Sequence, residues 1–444
     1  MSVKIYLHSL GCDKNLVDSE LMLGQLYEAG FTTTEPDIAS VIIINTCGFI
    51  QAAVEEAIEV IFEMAQYKQT GNCKTLIVTG CMAQRYREEI LKEFPEVDAI
   101  LGVNNFSAIA SIILEPSQAQ FESVETDVFD EKLYEKRAIT APMHVAYIKI
   151  AEGCDNHCTY CTIPSIRGKY RSRKFESIIA ECERLTKAGA RELVLIAQDT
   201  ALYGTDLYGK PRLHELLAAI ASLEELTWVR LMYSYPEHIY TELVDTIISH
   251  KKICNYLDMP IQHSHNAVLK RMGRRETHDF LREMVTNLHN KGIVVRTTLI
   301  VGFPGETIEE FNHLKHFVQE MQFEHLGVFM YSQEDGTPAA NMEPQISEDV
   351  KQQRMEILMK LQESIAEDRL KTFVGQTLTV MVDEFSSNEN DNFLLFNARS
   401  TRDAFDVDGL VSFPSLVEFV SGETMQVKIT ESHGAYNLYG KLVE

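Results

Sequence analysis

Strand-like apolar runs alternate with amphipathic helical stretches in this chain, and this alternation restricts the fold to a few possibilities. Within residues 3–115 the apolar runs are KIYLHSLGC, VIIINTC and TLIVTGC, and each is followed by a stretch with helical periodicity. Strands that alternate with helices form a parallel sheet, because each crossover helix packs on a face of that sheet. The sequence therefore predicts an α/β protein that begins with a doubly wound parallel domain over residues 1–115.

One cysteine follows each of these three strands. Cys12, Cys47 and Cys81 stand just past the predicted carboxyl ends of the strands. Open α/β sheets bind ligands at that edge, so we expect the three thiols to converge; three cysteines buried there by chance are the alternative. The other cysteines outside the motif described below precede a strand or lie in a helix, and we predict that they are small buried hydrophobic side chains: Cys73, Cys182 and Cys254.

A second series of strand and helix pairs covers residues 144–335. Its strand-like runs are HVAYIKIAEGC, ELVLIAQD, TWVRLMYSYP, NYLDMPIQH, VVRTTLIVGFP and HLGVFMYS. Six such units predict a partial (βα)6 barrel, in which the active site lies at the carboxyl ends of the strands. Several polar residues follow these strands, although any single one could equally be an ordinary loop residue: Gln198, Asp199, Tyr233, Gln262, His263 and Tyr331.

The motif CDNHCTYC, residues 154–161, follows the first strand of this second series. Iron-sulfur clusters and structural zinc ions are normally held by four protein ligands, so three thiolates leave one metal position open for a substrate. Two alternatives exist: a core helix would place the three cysteines on one face, and His157 could complete a zinc site. Gly153 and Pro164 instead favour a loop that leaves a strand. The motif therefore predicts a reactive metal centre at the mouth of the barrel.

The remaining segments are a linker, a closing helix and a small β-rich module. Residues 116–143 are polar and acidic without clear periodicity, which indicates a linker. A charged helix over residues 346–372 is expected to close the barrel unit, which spans 144–372. Short alternating strands with Gly and Asn turns over 373–444 are typical of a small antiparallel β-barrel of the OB type. This module has four Lys and Arg against eleven Asp and Glu, so it lacks the basic surface expected for RNA binding.

The charge and the cysteine content of the whole chain indicate which partners and which chemistry to expect. The chain of 444 residues has 41 Lys and Arg against 65 Asp and Glu, a net charge of −24 that favours basic partners over phosphate backbones. We find no 18-residue apolar run and no leader-like N-terminus, so we expect no membrane segment and a cytoplasmic location. In that reducing compartment the nine cysteines indicate metal or redox chemistry rather than disulfides.

The cysteine triplets and their neighbouring segments resemble those of radical S-adenosylmethionine (SAM) methylthiotransferases over nearly the whole chain. The similar segments are GCDKNLVDSE, GCDNHCTYCTIPSIRGKYRSR, YLDMPIQH and DAFDVDGLV. The resemblance implies an N-terminal auxiliary-cluster domain, a radical SAM core and a C-terminal TRAM domain. It also implies two 4Fe-4S clusters, one on Cys154, Cys158 and Cys161 and the other on Cys12, Cys47 and Cys81.

Within this family the segments are most similar to the branch that modifies an aspartate of small-subunit ribosomal protein S-twelve. The resemblance then implies insertion of a methylthio group at the aspartate β-carbon, with two SAM molecules, a sulfur donor and a reductant protein, the last two unidentified. Direct RNA binding is not expected to dominate. The alternatives are a tRNA adenosine methylthiotransferase of the same superfamily and a non-catalytic iron-sulfur carrier or structural zinc protein.

The resemblance also implies SAM contacts, and here the match is weaker. Asp13 stands where many members have Pro, and TLIVGFPGE matches the SAM-contacting pattern of the superfamily only in part. Tyr160 is placed to pack near the adenine, but it could be a plain packing residue, and the glycine turn after the fifth strand could simply connect that strand to a helix. The predicted SAM contacts are Tyr160, Gln198, Asp199, Gly302 and Gly305.

Overall fold

Three structural units follow one another along the described part of the chain. The computed structural model describes residues 3–114, 129–140, 142–387 and 393–443. An open five-stranded sheet comes first, two three-stranded parallel sheets come next, and a closed five-stranded barrel comes last. The predicted α/β fold class, with an N-terminal parallel domain, a central partial barrel and a C-terminal small barrel, is confirmed.

The N-terminal unit is a parallel sheet with helices on both faces. Its strands are β1 (Lys4–Ser9), β2 (Thr32–Thr33), β3 (Val41–Thr46), β4 (Thr75–Gly80) and β5 (Ala99–Leu101), in the order β2-β1-β3-β4-β5. Its helices are α1 (Asp13–Glu28), α2 (Gln51–Ala65), α3 (Tyr67–Thr70), α4 (Cys81–Arg85), α5 (Arg87–Glu93) and α6 (Ile109–Leu114). Alternate residues of a strand point to opposite faces, so Ile42 and Ile44 enter one hydrophobic core while Ile43 enters the other. The sheet is therefore doubly wound, as predicted.

Part of the predicted linker is packed structure. Residues 116–128 and 141 lie outside the described residues, but 129–140 include the short helix α7 (Glu131–Glu135). Arg137 is buried there, and its guanidinium forms ion pairs with Glu20 at 2.5 Å and with Glu181 at 2.9 Å. The assignment of 116–143 as a linker stays a prediction, but its polar pattern did not reveal that Arg137 is buried between two carboxylates.

The central unit is a partial barrel of six parallel strands. The strands of this unit are β6 (Val145–Lys149), β7 (Ala151–Glu152), β8 (Arg171–Ser172), β9 (Glu192–Ile196), β10 (Trp228–Leu231), β11 (Tyr256–Asp258), β12 (Val294–Val301) and β13 (His325–Met330). The sheets β6-β9-β10 and β11-β12-β13 are joined by a bridge between Val229 and Ile253, while β7 and β8 form a small antiparallel pair beside the barrel. The six parallel strands are thus neighbours in the order of the chain. Their carboxyl ends all lie at the same end of the barrel, which is its mouth.

This unit also contains helices. They are α8 (Ile163–Arg167), α9 (Phe175–Lys187), α10 (Thr205–Tyr208), α11 (Leu213–Ala221), α12 (Thr241–Ser249), α13 (Asn266–Arg271), α14 (His278–Asn290), α15 (Ile308–Met321) and α16 (Glu348–Lys371). Leu358 and Ile365 of α16 belong to the barrel core, which agrees with its predicted closing role. In the described ranges, no helix combines the length and the apolar character needed to cross a bilayer.

The C-terminal unit is a closed barrel. Its strands are β14 (Thr377–Ser387), β15 (Leu394–Ser400), β16 (Val411–Ser415), β17 (Thr424–His433) and β18 (Asn437–Leu442), in the order β14-β15-β16-β18-β17. The pairs are antiparallel as predicted except for β16 and β18, which run parallel. These two strands are not consecutive in the chain and pair only in the closed barrel. The alternation of apolar and polar residues within a strand does not show in which direction it will pair with such a partner.

Candidate metal centres at the domain interface

The first cysteine triplet lies on three loops at the carboxyl edge of the N-terminal sheet. Cys12 immediately precedes α1, Cys47 follows β3, and Cys81 is the first residue of α4. Burial raises the pKa of the Cys81 thiol to about 11, and the negative charges of Cys12 and Cys47 contribute to this rise. The three thiols therefore lie within electrostatic range of one another, at the edge where the strand pattern predicted them.

Glycines beside the cysteines allow these loops to pack closely. A Cβ on Gly11 would lie 2.7 Å from the Cβ of Cys47, and a Cβ on Gly48 would lie 2.7 Å from the Cα of Met82. Both separations are shorter than van der Waals contact, so neither position has room for a larger side chain. The close approach of the loops thus depends on glycines adjacent to the ligand candidates in the sequence.

Arg167 connects the first triplet to the barrel unit. This buried residue ends α8, and its Nη2 donates to Cys81 Sγ at 3.3 Å and to Asn15 Oδ1 at 2.6 Å. Its Nη1 donates to Asp18 Oδ2 at 2.7 Å and to Glu152 Oε2 at 3.2 Å. A guanidinium beside thiolates stabilises negative charge on sulfur, so this surrounding suits an anionic iron-sulfur cluster.

A buried ion-pair network lies behind Arg167. Lys149 forms ion pairs with Asp18 and, at 2.7 Å, with Glu152. Burial alone would raise the pKa of Glu152, but the positive charges of Arg167 and Lys149 hold it well below its usual range. Gln198 Nε2 donates to the other oxygen of this carboxylate at 2.7 Å. The amide of Gln198 is thus engaged with the network, and its contact with SAM stays a prediction.

The second cysteine triplet lies on a loop that follows β7 and precedes α8. A Cβ on Gly153 would lie 2.1 Å from the carbonyl oxygen of Lys169, so this tight turn requires glycine. The backbone of the loop is not helical, which rules out the core-helix alternative. Burial raises the pKa of Cys154 to about 11 and that of Cys161 to about 12, and the neighbouring Cys158 contributes to both increases. These three thiols are also gathered as predicted.

The described residues contain no ready-made site for a single metal ion. Among the residues that the structure describes, no three His, Cys, Asp or Glu side chains are arranged to hold one metal ion. His157 is exposed, so the zinc site that it could complete is not formed in the described ranges. The thiolates of a 4Fe-4S cluster bind separate irons, and the assignment of the two triplets as cluster ligands stays a prediction.

Two of the predicted SAM-binding residues lie beside the second triplet. The hydroxyl of Tyr160 accepts a hydrogen bond from Arg274 at 3.5 Å, and its ring meets Phe303 edge-on at 6.3 Å between centroids. Asp199 is buried and accepts hydrogen bonds from His238 Nδ1 at 2.7 Å and from Asn156 Nδ2, in the cysteine loop, at 3.2 Å. Asp199 therefore positions the loop, and SAM contacts by either residue stay predictions.

The glycine turn after β12 has structural reasons of its own. Gly302 and Gly305 both have φ of +71°, and the amide of Gly302 donates to the buried carboxylate of Glu306. A Cβ on Gly302 would lie 2.3 Å from Cγ of Lys351, so this glycine lets α16 approach the turn. These contacts explain why glycine stands at both positions without any role in ligand binding. The predicted contacts of Gly302 and Gly305 with SAM stay predictions.

The N-terminal unit docks over the mouth of the barrel. Arg85 Nη1 pairs with Glu334 Oε2 at 2.6 Å, and the amide of Gln51 donates to Glu334 Oε1 at 3.0 Å. Elsewhere on this interface, the hydroxyl of Tyr233 donates to Asp13 Oδ2 at 3.1 Å. Glu334 follows β13 and Tyr233 follows β10, so both contacts lie at carboxyl ends of barrel strands. The two cysteine triplets therefore belong to one interdomain region.

Three family models match the chain, each over one structural unit. They are the uncharacterized protein family UPF0004 over residues 4–102, the radical SAM superfamily over 148–318 and the TRAM domain over 374–443. The ribosomal protein uS12 methylthiotransferase RimO of Clostridium botulinum strain Hall is 46% identical over 441 residues, which cover 99% of this chain and 98% of the relative. The chain belongs to the RimO methylthiotransferase family. It is accordingly a radical SAM methylthiotransferase that uses 4Fe-4S clusters and SAM.

Other RimO proteins show similar agreement. That of Lachnoclostridium phytofermentans is 46% identical over 442 residues, covering 99% of both chains, and that of Trichlorobacter lovleyi is 45% identical over 448 residues, covering 99% of this chain and 98% of the relative. Among solved structures, the radical SAM methyltransferase TsrM of Kitasatospora setae has a TM-score of 0.58 at 14% identity, covering 76% of this chain and 74% of that chain. This last likeness supports the fold alone.

Two arginines that join the regions of the two cysteine triplets were not predicted from the sequence. Arg167 lies six residues after Cys161 in the segment TIPSIRG, and Arg85 lies four residues after Cys81 in CMAQR. Both arginines lie close in the sequence to a cysteine that is a predicted metal ligand. This proximity was the feature of the sequence that could have identified them. Their partners, Asp18 and Glu334, lie in other units and had no comparable signal.

Proposed function

We propose that this chain inserts a methylthio group at the β-carbon of an aspartate in ribosomal protein uS12, the substrate in the names of its RimO relatives. In this proposal one SAM donates the methyl group and a second is the radical source, while a reductant protein and a sulfur donor complete the reaction. Cys154, Cys158 and Cys161 would hold the radical SAM cluster, and Cys12, Cys47 and Cys81 the auxiliary cluster.

The contact between Arg167 and Cys81 carries this proposal. Arg167 follows the second triplet in the chain, yet it donates a hydrogen bond to a sulfur of the first. When bound, the clusters and SAM supply the carbon radical and the sulfur that the reaction needs. The residues of the two triplets would hold these groups at one interface, where Asp18, Lys149 and Glu152 of the charged network are buried away from water. Such burial protects a radical from side reactions.

The charge of the C-terminal barrel supports a protein substrate over tRNA. Residues 373–444 have four basic against eleven acidic side chains, a net charge of 4 − 11 = −7. A barrel with this charge repels an RNA backbone and attracts a basic ribosomal protein. The proposed substrate also implies a cytoplasmic location for the enzyme.

A direct comparison of substrates tests the proposal. The clusters are reconstituted without oxygen, SAM, a reductant and a sulfur source are added, and uS12 and tRNA are offered separately. Mass spectrometry then follows each substrate. We expect the methylthio group on uS12, and a group that forms only on tRNA would replace the proposed substrate with the tRNA alternative.

A further inference from the structure

Lys14 is a buried lysine that has no ion-pair partner among the residues the structure describes. Its side chain lies in the first turn of α1, and the residue is only 8% exposed. Every other buried lysine or arginine of the described residues has a carboxylate oxygen within 4.0 Å. Across the same residues, Lys14 Nζ has neither a hydrogen-bond nor an ion-pair partner. A buried ammonium without a partner is strongly unfavourable, so an anion that reaches Lys14 Nζ would stabilise the charged form of this side chain.

In the part of the chain that the structure describes, the Lys14 ammonium contacts an aromatic ring. Its Nζ lies 3.0 Å from the centroid of the Tyr233 ring. Contacts of this kind stabilise a cation, and the N–H donors of the ammonium that do not face the ring stay available. The ring is fixed in place, because Tyr233 donates through its hydroxyl to Asp13 at 3.1 Å and through its amide to Asp258 at 3.1 Å.

The carboxylates near Lys14 are already engaged. Asp13 accepts the hydroxyl of Tyr233, and Asp258 accepts the amide of Tyr233 and forms an ion pair with Arg296 at 3.2 Å. Tyr233 itself has φ of +60°, a conformation that non-glycine residues rarely adopt and that persists where surrounding contacts impose it. The surroundings therefore hold Lys14 in position without neutralising it through a direct ion pair.

The position of Lys14 suits a ligand that reaches both cluster sites. It lies two residues after Cys12, and its side chain meets Tyr233, which follows β10 at the mouth of the barrel. Asp258, whose negative charge acts on Lys14, is the last residue of β11. An anion bound here would therefore lie between the first cysteine triplet and the carboxyl ends of two barrel strands.

We propose that Lys14 binds the side-chain carboxylate of the target aspartate in uS12. The carbon that reacts in the proposed function is bonded directly to this carboxylate, so an ion pair with Lys14 would hold that carbon beside the first triplet. The assignment rests on the proposed function and adds the group that recognises the substrate. It requires a negative charge at the target position, which asparagine does not carry.

The test compares two substrates with four forms of the reconstituted enzyme. The substrates are uS12 and a uS12 variant in which the target aspartate is replaced by asparagine. The enzymes are the unchanged protein, Lys14→Met, Lys14→Arg and the control Lys74→Met, which changes an exposed lysine of the same unit. The dissociation constant of each substrate, the KM and kcat of methylthiolation, the iron content and the 5′-deoxyadenosine yield are measured.

We expect the unchanged enzyme to prefer the aspartate substrate roughly 10-fold or more in affinity, as for other hydrogen bonds to charged groups. Lys14→Met should remove this preference with unchanged iron content, Lys14→Arg should restore part of it, and Lys74→Met should retain it. Equal affinities of the unchanged enzyme for the two substrates would overturn the assignment, and this comparison does not depend on any variant folding.

Three further outcomes would also overturn it. Loss of iron from Lys14→Met would show that the lysine serves a cluster, and a substrate-independent fall in SAM cleavage would show that it serves SAM. A preference that persists in Lys14→Met would place the carboxylate elsewhere. If the unchanged enzyme modifies no uS12 at all, the proposed function itself is wrong, and the assignment of Lys14 is withdrawn with it.

Discussion

The guanidinium of Arg167 donates a hydrogen bond to the sulfur of Cys81 across 3.3 Å, although the two residues are 86 positions apart. The same side chain binds Asp18 and Glu152, which belong to different units. One arginine thus joins the N-terminal unit to the barrel and places a positive charge on a proposed cluster ligand.

Replacing Arg167 with Met should make the reduction potential of the auxiliary cluster more negative. Loss of a positive charge and of a hydrogen bond to sulfur disfavours the added electron. The potential is measured by electron paramagnetic resonance in a background where Cys154, Cys158 and Cys161 are Ala, so that only the auxiliary site can be filled.

Two further variants make this measurement specific. Arg167→Lys keeps the charge and should have a smaller effect than Arg167→Met, while Lys169→Met removes an exposed charge nearby and should have none. An unchanged potential in Arg167→Met would mean that Arg167 has only a structural role.

The two cysteine triplets should be separable by their products. Alanine at Cys12, Cys47 or Cys81 should abolish methylthiolation but leave some cleavage of SAM to 5′-deoxyadenosine. Alanine in the other triplet should abolish both, because that triplet is proposed to bind SAM. Chromatography of the small-molecule products and mass spectrometry of uS12 measure the two activities. Equal loss of SAM cleavage from both sets would contradict the separate roles.

The strand and helix pattern located the cysteines well, because the end of a strand is a local property. Cys47 and Cys81 follow runs such as VIIIN and TLIVT, whose apolar character alone identifies a buried parallel strand. Once those strands are known to be parallel, their carboxyl ends must meet at one edge. The first triplet could therefore be predicted as a group, and the motif of residues 154–161 was visible directly.

The contacts between the units could not be predicted in this way. The pairing of Arg85 with Glu334 joins residues 249 positions apart, and it depends on how two finished units dock. Lys14 has no feature in the sequence that separates it from a surface lysine, because α1 buries polar residues such as Asn15 and Asp18 against the barrel. Helical periodicity predicts which face of a helix is apolar. The buried face of α1 contains polar residues, so periodicity does not identify it.

The ion pair of Arg85 and Glu334 should keep radical formation coupled to sulfur insertion. Arg85→Met removes a charged hydrogen bond worth about 1.5–3 kcal/mol, which should loosen the docking of the N-terminal unit over the barrel. We expect fewer methylthio groups formed per 5′-deoxyadenosine, together with faster hydrogen exchange at the start of α2 and in α4. Mass spectrometry measures both quantities.

A matched control separates this effect from a general loss of charge. Lys92→Met also removes a cation from the N-terminal unit, but the ion pair of Lys92 with Glu93 lies in solvent. Exposed pairs contribute little to stability, so this variant should keep the coupling of the unchanged enzyme. Equal uncoupling in both variants would argue against a specific role for the Arg85 contact.

The attachment of the C-terminal barrel to the rest of the protein should weaken in acid. Asp383 accepts hydrogen bonds from Arg399 Nε at 2.7 Å and from His144 Nε2 at 2.9 Å, while Arg399 also pairs with Glu192 of β9 at 2.7 Å. Burial alone would raise the pKa of Asp383, but the hydrogen bonds from His144 and Arg399 hold it below the ordinary value of 3.8.

A carboxyl whose pKa is lowered by folding stabilises the folded state fully above its ordinary pKa and loses this contribution as the pH falls through the native pKa. Asp383→Asn should therefore lower the melting temperature near neutral pH, through a loss of about 1.5–3 kcal/mol, and the difference from the unchanged protein should shrink below about pH 4. Circular dichroism across this pH range measures the effect. Glu384→Gln, which changes an exposed neighbour, should follow the unchanged protein at every pH. A difference for Asp383→Asn that stays constant down to the acid limit would mean that the charge of this carboxylate does not stabilise the junction.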